Sequence, residues 1–363
     1  MKNILVIVGT RPNFIKVALF RSMALQYGFD LRIVHTGQHY DEKMAAVFFR
    51  DLHIQPDYFL EIPAVASEQQ IILMQAKLSK LMAVTFKPDL VIVVGDVHST
   101  RAGAEAAHIH NIPIAHVESG LRSFDQSMPE EINRIVADNL ASYYFITEPS
   151  GIANLIGEGK AETHMYHVGN TMIDTLVRFE EQIQQSDILN HLALTPNGYL
   201  LMTMHRPSNV DTKEALLSLL ETLQWLCAQI PVVFPVHPRT LQKLTTFGLW
   251  ESCTKIPQLK LTEPLDYFAF QKLISNCTCI VTDSGGIQEE ATFRQKPCLT
   301  LRKNTERPIT ITTGSNTLVP DGLEGIKPYI LDILRGQYKQ SAVPELWDGH
   351  ATARIFEILA TLD

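Results

Sequence analysis

The chain has 363 residues, of which 45% are hydrophobic and 19% charged, and its formal net charge is −8 at pH 7. A length beyond the roughly 250–300 residues that one core usually supports predicts two domains. The negative charge argues against a general nucleic-acid or anionic-membrane surface, and no apolar run approaches the ~18 residues of a membrane-spanning helix. Five cysteines without a small-domain framework favour a reducing compartment, so we expect a cytoplasmic protein.

Short runs rich in β-branched residues alternate along the chain with longer stretches of helical pattern. In the first half we predict strands at Ile4–Val8, Leu31–His35, Leu90–Val94 and Ile114–Val117, and helices at Asn13–Tyr27, Asp41–Leu52, Ser67–Phe86 and Ser99–His110. The second half repeats this order, with strands at Tyr199–Met204, Val232–Val236, Leu259–Leu261, Cys279–Thr282 and Cys298–Leu301 and a helix at Lys213–Gln229. Such alternation is typical of parallel sheets covered by helices on both faces.

We therefore predict an α/β fold of two Rossmann-like, doubly wound domains that face a central cleft. Gly169-Asn170-Thr171 interrupts the pattern, so the N-terminal domain is expected at residues 1–169 and the C-terminal domain at residues 170–350. A last helix at about Ala351–Thr361, within residues 351–363, is expected to pack back on the first domain. Ligands of such sheets bind beyond the carboxyl ends of the strands, so the residues that follow each strand are the candidates for function.

Cationic side chains follow the first predicted strand. Arg11 and Lys16 bracket the start of the next helix, and Pro12 suits its first turn. Both cations are candidates for contact with a phosphate or a reacting group; the alternative is an ordinary helix start with solvated cations. The single glycine of this turn, Gly9, does not form a dinucleotide-binding fingerprint. We predict neither a cofactor nor a metal site.

Carboxylates follow the next two predicted strands of the first domain. Asp96 and Glu118 come after Leu90–Val94 and Ile114–Val117, and a right-handed crossover makes these strands neighbours. Glu130 and Glu131 add two carboxylates at a helix start. Of these, Glu131 is the weaker candidate, since first-turn glutamates commonly serve the helix dipole alone. Carboxylates gathered in one cleft suit acid–base catalysis. The alternative for Asp96 is a helix N-cap.

The segment Asp283–Glu290 combines the end of a strand, two glycines and the start of a helix. Gly285 and Gly286 let the backbone turn sharply and approach a bound group. The free N–H groups at the start of a helix attract anions, and a glutamate of this segment suits hydroxyls rather than a phosphate. The segment therefore predicts a nucleotide site, with a tight structural turn as the alternative.

Further candidates lie at other strand ends of the second half. His205 and Arg206 directly follow a predicted strand, a position that favours function over a purely structural histidine. Phe270 is an aromatic residue that could stack on a base, although core packing is the commoner role. Arg307 suits a diphosphate because its guanidinium binds two oxygens at once.

The ordered set of motifs resembles that of the non-hydrolysing UDP-N-acetylglucosamine 2-epimerases, a family with the two-domain GT-B fold. The resemblance runs from Gly9 to about Val319, and the joint order of the motifs is far more specific than any one of them. The matching motifs are Gly9-Thr10-Arg11-Pro12, His35-Thr36-Gly37-Gln38-His39, Gly95-Asp96, His116-Val117-Glu118-Ser119-Gly120-Leu121-Arg122, Pro129-Glu130-Glu131-Ile132-Asn133-Arg134, Gly169-Asn170-Thr171-Met172-Ile173-Asp174, Asp283–Glu290 and Thr305-Glu306-Arg307-Pro308.

The resemblance implies reversible conversion of UDP-N-acetylglucosamine to UDP-N-acetylmannosamine, for the supply of surface polysaccharide precursors. In such enzymes UDP leaves C1 as a proton is lost from C2, and UDP then adds back to the 2-acetamidoglucal. The resemblance implies catalytic roles for Arg11, Lys16, Asp96, Glu118, Glu130 and His205, and UDP contacts for Arg11, Phe270, Ser284, Gly285, Gly286, Glu290 and Arg307. Family members are usually homodimers, and a UDP-sugar is the expected partner, with no nucleic acid and no membrane.

Three departures from the family pattern leave finer points open. Asn13 stands where the family commonly has glutamate, and Ser208 stands where it often has another glutamate. Some members use this second glutamate to bind an activating UDP-N-acetylglucosamine, so we predict that such activation is absent here or built differently. His98 replaces a small polar residue, which keeps a diacetamido-uronate or deoxy sugar as an alternative substrate. The sequence also leaves open a hydrolysing 2-epimerase, a GT-B glycosyltransferase or a catalytically silent binding protein.

Overall fold

The computed structural model describes residues 2–37, 49–63 and 65–362. The chain forms two compact units, of which the first combines Met1–Arg178 with Glu345–Asp363 and the second is Phe179–Pro344. Each unit contains a parallel sheet flanked by helices, so the predicted α/β class is confirmed. Among the described residues, no helix is both long and apolar enough to cross a membrane.

The first unit is built on a sheet whose strands, within the described residues, have the order β3-β2-β1-β4-β5-β6-β7. These strands are β1 (Asn3–Val8), β2 (Asp30–His35), β3 (Tyr58–Phe59), β4 (Leu90–Val94), β5 (Ile114–Val117), β6 (Tyr143–Ile146) and β7 (Met165–His167). Runs such as Leu90–Val94 are buried throughout, as expected for parallel strands covered on both faces. The order reverses between β1 and β4, which is where ligands bind in open sheets of this kind.

Helices cover the sheet of the first unit. Their bounds are Arg11–Val17, Phe20–Gln26, Ser67–Lys80, His98–Ile109, Pro129–Leu140, Pro149–Gly157, Thr171–Arg178 and Ala351–Thr361, with a π-helical turn at Leu81–Thr85 and a 3-10 turn at Glu162–His164. The single helix predicted over Asn13–Tyr27 is wrong, because Ala18 and Leu19 separate two shorter helices. The second of these packs Phe20 against Phe356 of the last helix, with ring centroids 5.5 Å apart. The helix predicted over Asp41–Leu52 lies largely outside the described residues, as do Gln38 and His39.

The first unit extends beyond residue 169, where the sequence pattern predicts a boundary. The helix Thr171–Arg178 belongs to the first unit, and the Oγ1 of Thr175 donates to the carbonyl of Ile15 at 2.6 Å. The chain returns to this unit at Glu345, before residue 351, because the buried Trp347 donates its indole N–H to the carbonyl of Thr147 at 3.1 Å. The last helix, Ala351–Thr361, is likewise part of the first unit.

The second unit repeats the same strand order. Its sheet, within the described residues, runs β10-β9-β8-β11-β12-β13. The strands are β8 (Leu200–Thr203), β9 (Val232–Pro235), β10 (Leu259–Thr262), β11 (Cys279–Thr282), β12 (Cys298–Thr300) and β13 (Asn316–Leu318). The helices are Glu180–Gln185, Ile188–His191, Pro207–Val210, Lys213–Cys227, Pro238–Thr246, Trp250–Thr254, Tyr267–Asn276, Gly285–Phe293, Ile309–Thr312 and Ile326–Leu334, with a 3-10 turn at Gly322–Gly325. Here the order reverses between β8 and β11.

Candidate active site

In the first unit, the side chain of Asn13 connects the turn after β1 to the end of β4 through hydrogen bonds. The side-chain oxygen of Asn13 accepts hydrogen bonds from the backbone N–H groups of Gly9 at 3.1 Å and Thr10 at 3.2 Å. Its amide nitrogen donates to the carbonyl of Val94 at 3.1 Å. A carboxylate could accept but could not donate this last bond, so asparagine suits both contacts. The partly buried Arg11 begins the helix that follows.

Lys16 and Glu118 form an ion pair in the interior of the first unit. Lys16 is 6% exposed and Glu118 is 2% exposed, so two opposite charges meet in a buried place, where loss of one would be costly for the other. The backbone of Glu118 is left-handed, with φ +69°, an uncommon conformation for a residue with a side chain. Its N–H donates to the carbonyl of Phe145 at 2.9 Å. Backbone strain that the surroundings enforce is often found at functional sites.

Asp96 pairs with a cation as well. It lies after Gly95, and its carboxylate forms an ion pair with Arg134 of the helix Pro129–Leu140. The side-chain amide of Asn133 donates to the backbone carbonyl of Asp96 at 3.0 Å. The alternative of a helix N-cap is wrong, because the next helix begins at His98 with Val97 in the capping position.

The two glutamates at the start of the helix Pro129–Leu140 differ in their surroundings. Glu131 is buried and accepts hydrogen bonds from Arg134 at 3.0 Å and from the backbone N–H groups of Ser123 at 2.9 Å and Phe124 at 3.0 Å. It therefore holds the loop before the helix. Glu130 is exposed. The structure thus separates a structural glutamate from one that solvent can reach.

The first unit therefore brings together the strand-end residues that the sequence singled out, with one difference from expectation. We expected carboxylates that crowd one another. Instead Asp96 faces Arg134, and Glu118 faces Lys16. The arrangement offers paired acids and bases at the ends of the neighbouring strands β4 and β5.

In the second unit, the fully buried Asp283 organises the end of β8. Its carboxylate accepts hydrogen bonds from the backbone N–H groups of His205 at 3.0 Å and Arg206 at 2.8 Å, and from the side chain of Asn209 at 3.0 Å. The same carboxylate lies 2.7 Å from Nδ1 of His205. Burial raises the pKa of Asp283, but the hydrogen bond and charge of His205 and the backbone donors outweigh it and lower the pKa to about 2.

The contact with Asp283 occupies one nitrogen of the His205 ring, and the side chain remains partly exposed. The side chain of His205 is 38% exposed. With Nδ1 bound to Asp283, Nε2 is the ring nitrogen left for a ligand. The ring of His237 lies beside it, with centroids 5.3 Å apart.

The helix start predicted within Asp283–Glu290 is confirmed, since a helix begins at Gly285. Ser284 is the N-cap residue, and its N–H donates to Oγ1 of Thr282 at 3.0 Å. A Cβ at Gly285 would lie 3.1 Å from Nη1 of Arg307 and 3.1 Å from Oε1 of Glu306. A side chain at this position would therefore crowd the charged groups at the start of the helix.

Buried arginines gather beside this helix start. Arg307 forms ion pairs with Glu306 and, at 2.7 Å, with Glu289. Glu306 also pairs with Arg302 at 2.9 Å, so it lies between two guanidinium groups. Burial lowers the pKa of Arg302, and the nearby cations Arg206 and Arg307 lower it further against the opposing charge of Glu306. Guanidinium groups and a helix N-terminus are both suited to binding a multiply charged anion.

The remaining predicted residues lie close to the same helix. Glu290 is buried within it, and its charge adds to the burial that raises the pKa of Tyr267. Phe270 belongs to the helix Tyr267–Asn276 and is partly buried against the apolar core of the second unit. Ser284 and Gly286 therefore lie at the start of this helix and Glu290 in its second turn, with Phe270 on the helix that packs beside it.

Two residues of the candidate site were not predicted from the sequence. Asp283 lies within the predicted nucleotide motif but was given no role there. An acid at the end of one strand can hold a histidine at the end of the neighbouring strand, and this is the signal that could have identified it. Arg302 could have been selected for the same reason as His205, since it directly follows a predicted strand. Among the described residues, no group of three or more histidine, cysteine, aspartate or glutamate side chains could hold a metal ion.

The chain is similar to known proteins over most of its length. The family model described as UDP-N-acetylglucosamine 2-epimerase matches residues 21–360. The chain is 38% identical over 325 residues to a UDP-N-acetylglucosamine 2-epimerase of Methanocaldococcus jannaschii, covering 88% of each chain. It is 36% identical over 364 residues to a UDP-2,3-diacetamido-2,3-dideoxy-D-glucuronate 2-epimerase of Pseudomonas aeruginosa, covering 99% of each.

A solved structure resembles the whole chain. The structure of M. jannaschii UDP-GlcNAc 2-epimerase in complex with UDP-GlcNAc and UDP superposes with a TM-score of 0.89 at 36% identity. The match covers 98% of this chain and 99% of that one. This chain belongs to the UDP-N-acetylglucosamine 2-epimerase family.

Proposed function

We propose that this chain interconverts UDP-N-acetylglucosamine and UDP-N-acetylmannosamine without net hydrolysis. In the proposed reaction the bond between C1 and the diphosphate oxygen breaks, and a base removes the proton from C2. The products of this step are 2-acetamidoglucal and UDP, which stay bound. UDP then adds back to C1 while an acid delivers a proton to the other face of C2. The observation that carries the proposal is the match of the whole chain to enzymes of this family, together with charged groups at the strand ends of both sheets.

We assign the UDP moiety to the second unit. Free N–H groups at the start of the helix Gly285–Phe293 and the guanidinium groups of Arg302 and Arg307 are suited to a diphosphate. The C2 proton has no adjacent carbonyl, so stabilisation of the departing diphosphate must supply much of the catalysis. Ser284 and Gly286 belong to the same assignment, with Glu290 for the ribose hydroxyls and Phe270 for the base.

We assign the proton transfers to residues at the strand ends. Asp96, Glu118 and Glu130 are the proposed acids and bases, and Lys16 and Arg11 are the proposed cations beside them. His205 is a further proton carrier, since Asp283 holds its Nδ1 and leaves Nε2 free of that contact. We leave open which carboxylate acts on which face of the sugar.

One relative supports a second candidate substrate. The Pseudomonas aeruginosa relative, named for a diacetamido-glucuronate sugar, matches over 99% of both chains, which is more of the chain than the M. jannaschii relative covers. A uronate would carry one more negative charge than N-acetylglucosamine. Both UDP-sugars would follow the same elimination and readdition, so they differ in the fit of the sugar and not in the reaction.

Proton NMR of the UDP-sugar with enzyme in deuterated water tests the proposal. We expect deuterium at C2, with UDP still attached and a manno epimer accumulating. Free N-acetylmannosamine and UDP would support a hydrolysing 2-epimerase instead. Exchange with the diacetamido-glucuronate but not with UDP-N-acetylglucosamine would assign the alternative substrate. If neither sugar exchanged without an added acceptor, a glycosyltransferase would become the better hypothesis.

A further inference from the structure

A buried histidine behind the proposed catalytic turns of the first unit has no role in the function described so far. His116 lies on β5 and is fully buried. Its Nε2 lies 2.8 Å from the backbone carbonyl of Gly95, and its Nδ1 lies 2.6 Å from Oδ1 of Asp138. The ring therefore spans from the turn after β4 to the helix Pro129–Leu140.

The partners of the ring determine where its protons are. A carbonyl oxygen only accepts hydrogen bonds, so the contact with Gly95 requires a proton on Nε2. The other oxygen of Asp138 accepts from Arg122 at 2.7 Å and from the N–H of Gly120 at 3.1 Å, which favours an ionised carboxylate. An ionised Asp138 also only accepts, so Nδ1 carries a proton too. Both contacts of the ring are thus hydrogen bonds at the same time only when each ring nitrogen carries a proton.

The charge of Asp138 is consistent with this assignment. Burial alone raises its pKa, but the charges and hydrogen bonds of His116 and Arg122 outweigh that effect and hold the pKa below its usual value. Arg122 also binds the carboxylate of Glu158 with two hydrogen bonds, of 2.8 and 2.7 Å. Two cations thus face two carboxylates, and a balanced, fully hydrogen-bonded set of charges is the form in which burial is tolerated.

Other charged or titratable groups in the described part of the chain lie next to the partners of the ring. Lys16 and Glu118 lie beside Gly95, Tyr144 is the neighbour of His116 on β6, and Arg122 binds Asp138 and Glu158. Lys16 and Glu118 compensate each other, and Tyr144 donates to the backbone carbonyl of Asp138 at 3.2 Å. None of these contacts involves a ring nitrogen of His116.

The network holds the two turns that carry the proposed catalytic carboxylates. The carbonyl of Gly95 belongs to the same peptide group as the N–H of Asp96, so the bond from His116 fixes the plane from which Asp96 extends. Gly95 has φ +69°, and a turn of this kind can rotate its peptide unless something holds it. On the other side, Asp138 binds the N–H of Gly120, which follows Glu118 by two residues.

We propose that His116 is a positioning residue, which as an imidazolium held by Asp138 fixes the Gly95–Asp96 peptide and thereby the direction of the Asp96 carboxylate. The effect on catalysis rests on the proposed function, in which Asp96 takes part in proton transfer. The protonation of the ring is independent of that function.

Nitrogen-15 NMR of the full chain with labelled histidine tests the protonation directly. At neutral pH we expect both ring nitrogens of His116 to show the shifts of protonated nitrogen, and Asp138→Asn to abolish this for Nδ1. A ring nitrogen without a proton in the unmodified chain would overturn the proposal. This measurement stands even if the chain shows no epimerase activity, so failure of the proposed function and failure of this inference are distinguishable.

Deuterium exchange at C2 tests the consequence for catalysis. The variant His116→Gln keeps one donor for the carbonyl of Gly95 but presents its amide oxygen to the Asp138 carboxylate. We therefore expect kcat to fall about 10- to 100-fold. KM and the affinity for UDP should stay within about twofold of those of the unmodified chain. In the double variant His116→Gln/Asp138→Asn the two amides can pair, and we expect part of the lost kcat to return.

Tyr144→Phe provides the matched control. It removes a buried hydrogen bond to the same Asp138, but from its backbone carbonyl and not from its carboxylate. We expect this variant to keep kcat. An unchanged kcat in His116→Gln, or an equal loss of kcat in Tyr144→Phe, would overturn the positioning role.

Discussion

The carboxylate of Asp283 lies 2.7 Å from Nδ1 of His205 and also accepts the backbone N–H of the same histidine at 3.0 Å. One buried acid thus holds both the ring and the main chain of the histidine. It also joins the end of β11 to the end of β8, which are neighbours in the second sheet. The contact explains how a histidine on a strand end keeps one ring orientation although its side chain is partly exposed.

The depressed pKa of Asp283 predicts a specific dependence of stability on pH. A carboxylate whose pKa falls from 3.8 to about 2 on folding stabilises the native state above pH 3.8, and this contribution is lost as the pH falls through 2. It amounts to about 2 kcal/mol. We expect the stability difference between the unmodified chain and Asp283→Asn to be largest near pH 5 and to shrink towards pH 2, measured by urea unfolding. Asp321→Asn, which removes an exposed carboxylate of the same unit, is the control.

The buried pair of Lys16 and Glu118 predicts strong coupling between the two side chains. Lys16→Met and Glu118→Gln each leave one buried charge or donor without its partner, and removing one member of such a pair costs about 3–5 kcal/mol. The double variant should lose clearly less stability than the sum of the single variants. Thermal unfolding of the four proteins measures this coupling; additive losses would contradict an interior ion pair.

Substitution of the two glutamates at the start of the helix Pro129–Leu140 should have different effects, one on stability and the other on catalysis. Glu131→Gln weakens hydrogen bonds to Arg134 and to the loop at Ser123, and should cost about 2–3 kcal/mol of stability. Glu130→Gln should change stability by less than about 0.5 kcal/mol but lower the rate of C2 exchange about 100-fold or more. A stable Glu131→Gln with normal loop structure would contradict the structural role of that residue.

Arg302 should contribute to UDP affinity although it was not predicted from the sequence. Arg302→Gln removes a buried cation beside the start of the helix Gly285–Phe293 and leaves Arg307 in place. We expect UDP to bind about tenfold more weakly or worse, because a hydrogen bond to a charged group contributes about 1.5–3 kcal/mol. The exposed neighbour Lys303 supplies the control, since Lys303→Gln removes the same charge from the surface and should leave the affinity nearly unchanged. Calorimetric titration with UDP decides between them.

Glu290 is predicted to recognise the ribose hydroxyls. Glu290→Ala should weaken UDP binding more than it perturbs folding. The unmodified chain should also prefer UDP to 2′-deoxy-UDP, and the variant should lose most of that preference. An unchanged affinity for UDP, or a preference for the 2′-hydroxyl that survives in Glu290→Ala, would refute the assignment.

Much of the fold could be predicted because parallel strands buried on both faces are continuous apolar runs. Leu90–Val94, Ile114–Val117 and Cys279–Thr282 have the predicted bounds, and the last helix does too. The strands β3, β7 and β13 were not predicted, and with two or three residues each they are short for a pattern to show. The four-residue strand β6 was not predicted either. The break at Ala18 within the first predicted helix also carries no sequence signal that we can identify.

The sequence by itself determined the class of the fold, the strand ends at which candidate functional residues were sought and, through its ordered motifs, the family. These properties depend on local patterns and on the rule that ligands bind at the carboxyl ends of parallel strands. Only the tertiary structure decided which charges meet: Lys16 with Glu118, Asp96 with Arg134, and His116 with Asp138. Such pairs join residues far apart in the chain, and they depend on strand register, side-chain direction and depth of burial, which no local pattern encodes.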